Sequence, residues 1–355
     1  MMNEIIQNDI YSIIKNLGDH IYKFDNKKIL FAGGGGFLGN YFLNFFDTLI
    51  QKKKINLEVV FVDNFISSAT NFNNKNISEK NFKFLNQDIC NSNILNLKEN
   101  YDFVIHAAGI ASPYYYRKKP IETLDVSISG SKNLLELARI NNSKYIFFSS
   151  SEIYGDPLPD FVPIKETYRG NVNTTGPRSC YDEGKRVGET LCYIYQNYFN
   201  LNTNIIRPFN IYGPGMKKND YRVMSNFTNL FLNHKPLKVY GVGDQTRTFC
   251  YIADGLEGFL RVILLGKNGQ IYNIGNEKPE ISMINLAKLF FDIYNLPHQI
   301  ETIKYPSSYP ADEPNRRCPN ITKAKEHLNF EANIDLRSGI QNYINWFMSE
   351  YDLHL

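Results

Sequence analysis

The chain lacks any pair of cysteines spaced to share a metal. Its five cysteines, Cys90, Cys180, Cys192, Cys250 and Cys318, are scattered and odd in number. That pattern argues against a disulfide framework or a zinc site, and a reducing cytoplasmic location is expected. The six histidines show no metal-ligand spacing, so no metal is assigned. Charge of one sign is also scarce: the formal net charge is +3, and basic runs stop at three residues, as in Lys52–Lys54. A nucleic-acid binder would show a stronger basic stripe, so no such partner is expected. The lysine run reads as a solvated loop before a strand. No segment has the roughly 18 uninterrupted apolar residues of a membrane helix, so no membrane association is expected. Residues Met1–Lys27 carry acidic residues and no apolar core, unlike a signal peptide. Ile5, Ile6, Ile10, Ile13, Ile14 and Leu17 instead share one helical face, which predicts an extra helix docked on the main body.

What is present is length and rhythm. The 355 residues, 43% hydrophobic, suit one large or two closely joined domains. Short apolar strands are predicted at Lys28–Ala32, Glu58–Val62, Phe82–Leu85, Phe103–Ile105 and Tyr145–Phe148. Helical stretches near Glu122–Ile140 and Tyr181–Phe199 separate or follow them. This alternation predicts an α/β fold, a doubly wound parallel sheet covered on both faces. After Arg207, prolines and glycines loosen the rhythm. Ile271–Ile274 reads as one more strand and Ile284 to Phe347 as mostly helical. The expected division is an N-terminal helical extension over residues 1–27, a dinucleotide-binding half over 28–207 with a return strand near 271–275, and a smaller C-terminal substrate-binding α/β domain over 208–355.

Gly33, Gly36 and Gly39 form G-x-x-G-x-x-G between the first strand and a helix that starts with Phe37 and Leu38. Glycines let the backbone turn tightly and approach a pyrophosphate, which the helix N-terminus attracts. The second strand ends at Asp63, followed by Asn64. A carboxylate there accepts hydrogen bonds from ribose hydroxyls and repels a 2′-phosphate, which favours NAD. Asp88 and Ile89 follow the third strand, where an adenine contact is expected. Ala107, after the fourth strand, is small enough to let the cofactor lie close. His106 reads as structural.

Tyr181 and Lys185 are four residues apart on a predicted helix and share a face. A phenol ionises near pH 10. A neighbouring ammonium and a cationic nicotinamide would lower that value, so the phenolate could take a proton from a sugar hydroxyl while hydride leaves for NAD. Ser149-Ser150-Ser151-Glu152 closes the fifth strand at its carboxyl end, where such sheets bind ligands. Ser150 is placed to hydrogen-bond the reacting oxygen. Glu152 is a further acid or base that a simple dehydrogenase does not need.

These residues resemble the extended short-chain dehydrogenase/reductase family of nucleotide-sugar enzymes, whose fold is of Rossmann type. The resemblance runs from about Lys28 to Phe347. Three segments place it nearest the branch that decarboxylates UDP-glucuronate: Ser151-Glu152-Ile153-Tyr154-Gly155-Asp156-Pro157, Gly176 to Arg186, and Gly241 to Arg247. A fourth, Asp312 to Pro319, matches that branch's C-terminal arginine motif. The resemblance implies that Asn210 contacts the nucleotide sugar, with Ser112 and Asn133 also on the substrate side. It implies that Tyr240 lies near the uracil, that Arg247 pairs with the diphosphate, and that Arg317 lies near the sugar carboxylate. It also implies a homodimer built on the helices near Glu122–Ile140 and Tyr181–Phe199.

Within the family three outcomes stay open. Oxidation at C4 makes glucuronate a β-keto acid that loses CO2; the enolate then takes a proton at C5, from Glu152 or a water held by Arg317. A 4,6-dehydratase usually carries Asp-Glu where this chain has Ser151-Glu152, and an epimerase usually lacks the glutamate. Asp125 stands where the decarboxylase branch usually has lysine, and a carboxylate does not suit an acidic substrate. A non-catalytic NAD-binding scaffold has no need of Tyr181, Lys185 and Glu152 together.

Overall fold

Apolar runs too continuous to face water on either side become the strands of one sheet. The computed structural model describes residues 2–67, 80–97, 99–305 and 314–353. Strands β1 (Lys27–Ala32), β2 (Leu57–Asp63), β3 (Phe82–Asn86), β4 (Phe103–His106), β5 (Lys144–Phe148) and β6 (Thr203–Pro208) join Ile271–Ile274 in a parallel sheet of seven. The order is Ile271–Ile274, β6, β5, β4, β1, β2, β3. It reverses between β1 and β4, and a crevice opens beyond their carboxyl ends, the ligand position of such sheets.

Helices cover both faces. On one face Phe42 meets Phe148 edge-on at 6.1 Å, and Phe148 meets Phe259 at 5.0 Å. Aromatic rings favour this T-shaped geometry over a face-to-face sandwich. On the other face Leu134, Leu135 and Ala138 pack with Tyr145, Phe147 and Cys192. Several helices end on left-handed Asn142, Asn200 and Asn329, a residue type that tolerates this conformation.

The N-terminal helix, Glu4–Leu17, starts on the Asn3 side chain and buries Ile10, Ile13, Ile14 and Leu17. It packs on helices Phe37–Lys53 and Ile252–Leu265. Polar contacts also tie it in. Tyr41 and Tyr251 donate to the Asp9 carboxylate at 3.0 and 2.9 Å. Asn16 donates to Glu257 at 2.8 Å, and Arg261 donates to the Asn16 carbonyl at 2.9 Å.

Several expectations need correction. β6 has no counterpart in the predicted strands, because Thr203, Asn204, Arg207 and Pro208 dilute its apolar signal. Lys52 and Lys53 are not a loop but the last helical turn, closed by left-handed Lys54. The helical stretch over Glu122–Ile140 contains a wider π-turn at Val126–Gly130. The tail is mixed rather than mostly helical: Ile300–Ile303 is a strand paired in parallel with Leu237–Tyr240. That pairing joins segments far apart in the chain, so no local periodicity marks it. Thr246–Arg247 is a shared neighbour of Ile281–Ser282 and Arg316–Arg317 in a second small sheet. Asp312 and Glu313, part of the C-terminal motif, lie outside the described residues.

Candidate active site

A single cleft of about 690 Å³ runs across the carboxyl ends of the sheet and into the C-terminal half. One end is built on the glycine loop. Gly33 has φ +94°, and a Cβ there would come within 2.7 Å of the Ala107 carbonyl, so glycine is required both for conformation and for space. Gly39 does not line the cleft; it lets the helix sit against the Gly33 and Gly34 carbonyls. No side chain caps the Phe37–Lys53 helix, which leaves its N-terminus suited to an anion. Gly33, Gly36, Phe37, Leu38 and Ala107 line the cleft here.

Asp63 sharpens the expectation made for it. Its carboxylate accepts from the Gly35 and Phe65 backbone N–H groups at 2.8 and 2.7 Å, so it shapes the loop as well as facing the cleft. Asn64 donates to Asp88 at 3.0 Å, and Asp88 also accepts from the Cys90 backbone at 2.8 Å. With Ile89 these residues line one end of the cleft. Asn133 is not on the cleft wall. It donates to the Ile89 carbonyl at 2.8 Å, which corrects its placement on the substrate side. His106 is buried against the Val126 carbonyl at 3.1 Å, and burial pushes its pKa down to about 3, as befits a structural residue.

Tyr181 and Lys185 sit on the Ser179–Phe199 helix, both buried, and both line the cleft. Tyr181 stacks on Tyr116 with ring centroids 5.5 Å apart. Lys185 donates to the Phe148 carbonyl at 2.7 Å, and burial lowers its pKa to about 8. Burial pushes the Tyr181 phenol up to about 12, against the lowering effects of Ser150 and Arg222. The expected lowering requires the cationic nicotinamide beside the phenol as well as the ammonium.

Ser150 caps the short turn after β5, accepting from the Glu152 backbone N–H at 3.2 Å. That turn aims Glu152 at two buried arginines. Arg317 donates to both carboxylate oxygens at 2.5 and 2.6 Å, and Arg178 donates to one of them. Burial pushes the Glu152 carboxyl up, but Arg178, Arg317 and Arg247 outweigh it and hold the pKa at about 2. The three guanidiniums thus favour the ionised form of Glu152.

Arg247 and Arg317 are register partners across two short parallel strands. This pairing is how residues far apart in sequence meet. Arg247 also donates to the Pro314 carbonyl at 2.6 Å. Asn210 has φ +43° and donates to the Thr248 carbonyl at 2.7 Å. Tyr240 stacks on Tyr305 at 5.4 Å with 19° between the rings. Ser112 donates to the Asp220 carbonyl at 2.6 Å. Ser112, Asn210, Tyr240, Arg247 and Arg317 all line the cleft. Asp125 lines it too, as do Cys90 and Asp88.

Sequence reasoning missed Arg178, Asp182 and Arg222. Arg178 opens the Tyr181 helix, and Asp182 lies 3.5 Å from its Nε. Arg222 lines the cleft, paired to Asp220 at 2.5 and 2.8 Å. The first two lie inside a quoted motif, but nothing in a linear motif says which side chains face inward. Tyr221 has φ +67°, and its ring lies 4.3 Å from that of Tyr114 at a tilt of 34°, both in the cleft lining.

Comparison with known proteins agrees with this geometry. The model of the NAD dependent epimerase/dehydratase family matches residues 29–275. The chain is 37% identical over 315 residues to UDP-glucuronic acid decarboxylase 5 of Arabidopsis thaliana, covering 89% of this chain and 87% of that protein. It is 36% identical over 328 residues to UDP-glucuronic acid decarboxylase 1 of Xenopus tropicalis, covering 92% and 74%. Among solved structures, the UDP-glucuronic acid 4-epimerase of Bacillus cereus, in complex with UDP-glucuronic acid and NAD, superposes with a TM-score of 0.78 at 26% identity, covering 91% of this chain and all of that one. The epimerase Mth375 of Methanothermobacter thermautotrophicus superposes with a TM-score of 0.81 at 24% identity, covering 96% and 97%, a likeness of fold. A glycine-floored crevice at the reversal of a parallel sheet, a tyrosine and lysine one turn apart beside it, and a family model spanning both place this chain in the NAD dependent epimerase/dehydratase family.

Proposed function

We propose that the chain converts UDP-glucuronate to UDP-xylose through a 4-keto intermediate, with NAD regenerated in each turnover. The observation that carries the reading is the basic character of one region of the cleft: Arg178, Arg222, Arg247 and Arg317 line it, outnumbering the Glu152 and Asp220 carboxylates that pair with three of them. Such a wall suits a sugar acid carried on a diphosphate, since guanidinium forks match carboxylate and phosphate oxygens. The similarity to decarboxylases over most of the chain supports the same reading.

NAD supplies the hydride acceptor and, later, the hydride donor at C4. Tyr181 takes the C4 hydroxyl proton and returns it at the end, with Ser150 holding that oxygen. Lys185 supplies positive charge beneath the phenol. Once C4 is a ketone, the bond from C5 to the carboxylate breaks, its electrons pass into an enolate, and CO2 leaves. Arg317 and Arg178, held in place by Glu152, stabilise the developing negative charge. C5 then takes one proton, delivered by a water ordered against the Glu152–Arg317 pair. Asn210, Ser112, Tyr240 and Arg247 hold the nucleotide sugar, and Asp63, Asn64 and Asp88 hold the adenosine half of the cofactor. On this reading residues 28–207, with the return strand near 271–275, form the dinucleotide-binding half, and residues 208–355 serve mainly the nucleotide sugar.

We also propose a cytoplasmic homodimer. Among the described residues no helix is long and apolar enough to cross a membrane. Ile121, Tyr193 and Tyr198 are exposed on the two helices expected to pair, where a partner would cover them.

Mass spectrometry of the enzyme incubated with UDP-glucuronate tests the reading. Loss of CO2 without lasting reduction of NAD is expected. Unchanged mass with altered sugar stereochemistry would make it an epimerase, and loss of water from a nucleotide hexose a dehydratase.

A further inference from the structure

Glu152 is not held by arginines alone. One of them, Arg178, is itself held by a second carboxylate. Arg178 stands at the start of the Ser179–Phe199 helix, and Asp182 lies one turn further on. The Asp182 backbone N–H donates to the Arg178 carbonyl at 3.1 Å, and Arg178 Nε lies 3.5 Å from the Asp182 carboxylate. The other end of the same guanidinium donates to Glu152. Arg178 is 3% exposed and Asp182 5%. A buried guanidinium with one charged partner is free to tilt about that contact; a second partner across the fork fixes its plane.

The environment of Asp182 is unusual. It follows Tyr181 in the chain and does not line the cleft. One of its carboxylate oxygens is buried without a hydrogen-bond partner. Burial, then the charge of Glu152, push its pKa up to about 7, while Arg178 and Arg317 oppose them. A carboxyl kept in so poor an electrostatic setting asks for a reason beyond stability.

We propose that Asp182 is a positioning residue for the carbon–carbon cleavage: it fixes Arg178 against Glu152 and so fixes Glu152 at the reacting sugar. Asp182 touches neither sugar nor cofactor. It links the turn that carries Tyr181 to the Glu152 ion cluster, so that the oxidising group and the cleavage group keep one geometry. The proposal rests on the decarboxylase reading.

The test compares wild type with Asp182→Ala and Asp182→Asn, each full-length with bound NAD, on UDP-glucuronate. Oxidation at C4 depends on Tyr181 and precedes the step that needs Glu152. Asp182→Ala should therefore lower kcat by about 10- to 100-fold and leave KM nearly unchanged. It should also accumulate reduced nicotinamide and release 4-keto sugar, neither of which a merely structural defect produces. Asp182→Asn, of equal size and still an acceptor for Arg178, should recover part of kcat. An Asp182→Ala enzyme with wild-type kcat and no accumulated reduced nicotinamide overturns the proposal. So does one that loses oxidation, NAD retention and thermal stability in step. If Asp182→Ala does not fold, a folded Asp182→Asn enzyme with no partition between oxidation and CO2 release overturns it equally. Wild-type protein that leaves UDP-glucuronate untouched overturns the decarboxylase reading itself, and this inference with it.

Discussion

Arg317 grips both carboxylate oxygens of Glu152, at 2.5 and 2.6 Å, from 165 residues further along the chain. The contact joins the turn after β5 to the C-terminal half, across the cleft in which Tyr181 lies. It places a fixed negative charge and a fixed positive charge side by side where the sugar carboxylate is proposed to leave.

Breaking that pair should separate the two halves of the reaction. Glu152→Gln and Arg317→Gln should each slow CO2 release by about 100-fold while oxidation at C4 survives, seen as reduced nicotinamide that persists. Equal loss of both steps would count against the assignment. The pair also couples to acid stability. The Glu152 pKa is about 2 in the fold against an ordinary 4.5, so its contribution is complete above about pH 4.5 and fades as pH falls toward 2. Glu152→Gln should lack that part of the acid transition in a pH-resolved unfolding series.

Tyr181→Phe should abolish reduction of the cofactor while NAD remains bound, since the phenol moves the proton and the glycine loop holds the dinucleotide. Lys185→Met should cut kcat by about 100- to 10,000-fold. Stopped-flow absorbance checks both variants. An active Tyr181→Phe enzyme would remove the proposed base.

Gly188 lies one turn beyond Lys185. A Cβ there would overlap the buried Phe147 ring, so the helix rests directly on β5. Gly188→Ala should cost about 1–3 kcal/mol, the usual effect of overpacking, and should displace Lys185 from the Phe148 carbonyl. Thermal unfolding reads the first effect and steady-state kinetics the second; an unchanged melting temperature contradicts this packing.

The N-terminal helix should prove part of the fold rather than an ornament. Removing residues 1–17 would uncover Ile252–Leu265, a helix buried almost all round, and should leave the protein insoluble. Within the contact, burial raises the Asp9 pKa to about 7 from an ordinary 3.8, with Tyr41, Tyr251 and Asp254 facing it. The folded state therefore favours the protonated acid. That contribution is whole below about pH 3.8 and is lost as pH rises through 7. Asp9→Asn, which cannot ionise, should gain stability relative to wild type between pH 4 and pH 8. A difference independent of pH would show that Asp9 is not the titrating group.

The sequence by itself determined six of the seven strands of the sheet and marked both local candidate sites. Continuous apolar runs, glycines at 33, 36 and 39, and a tyrosine and lysine one turn apart are all local signals, and each fixes its geometry within a few residues. Ser150 and Glu152 were legible for the same reason, as the residues that end a strand. Only the tertiary structure decided what Glu152 is. Its ionisation depends on Arg178, Arg247 and Arg317, and two of these meet only because Arg247 and Arg317 pair across short strands. β6, diluted by polar residues, and Ile300–Ile303, paired with a distant strand, were equally invisible to periodicity. Tertiary structure also put Asp125 within reach of Cys90, Asn133 against the Ile89 carbonyl, and Tyr181 where burial raises its pKa. Burial and charge are summed over neighbours from every element, so no single segment of sequence contains them.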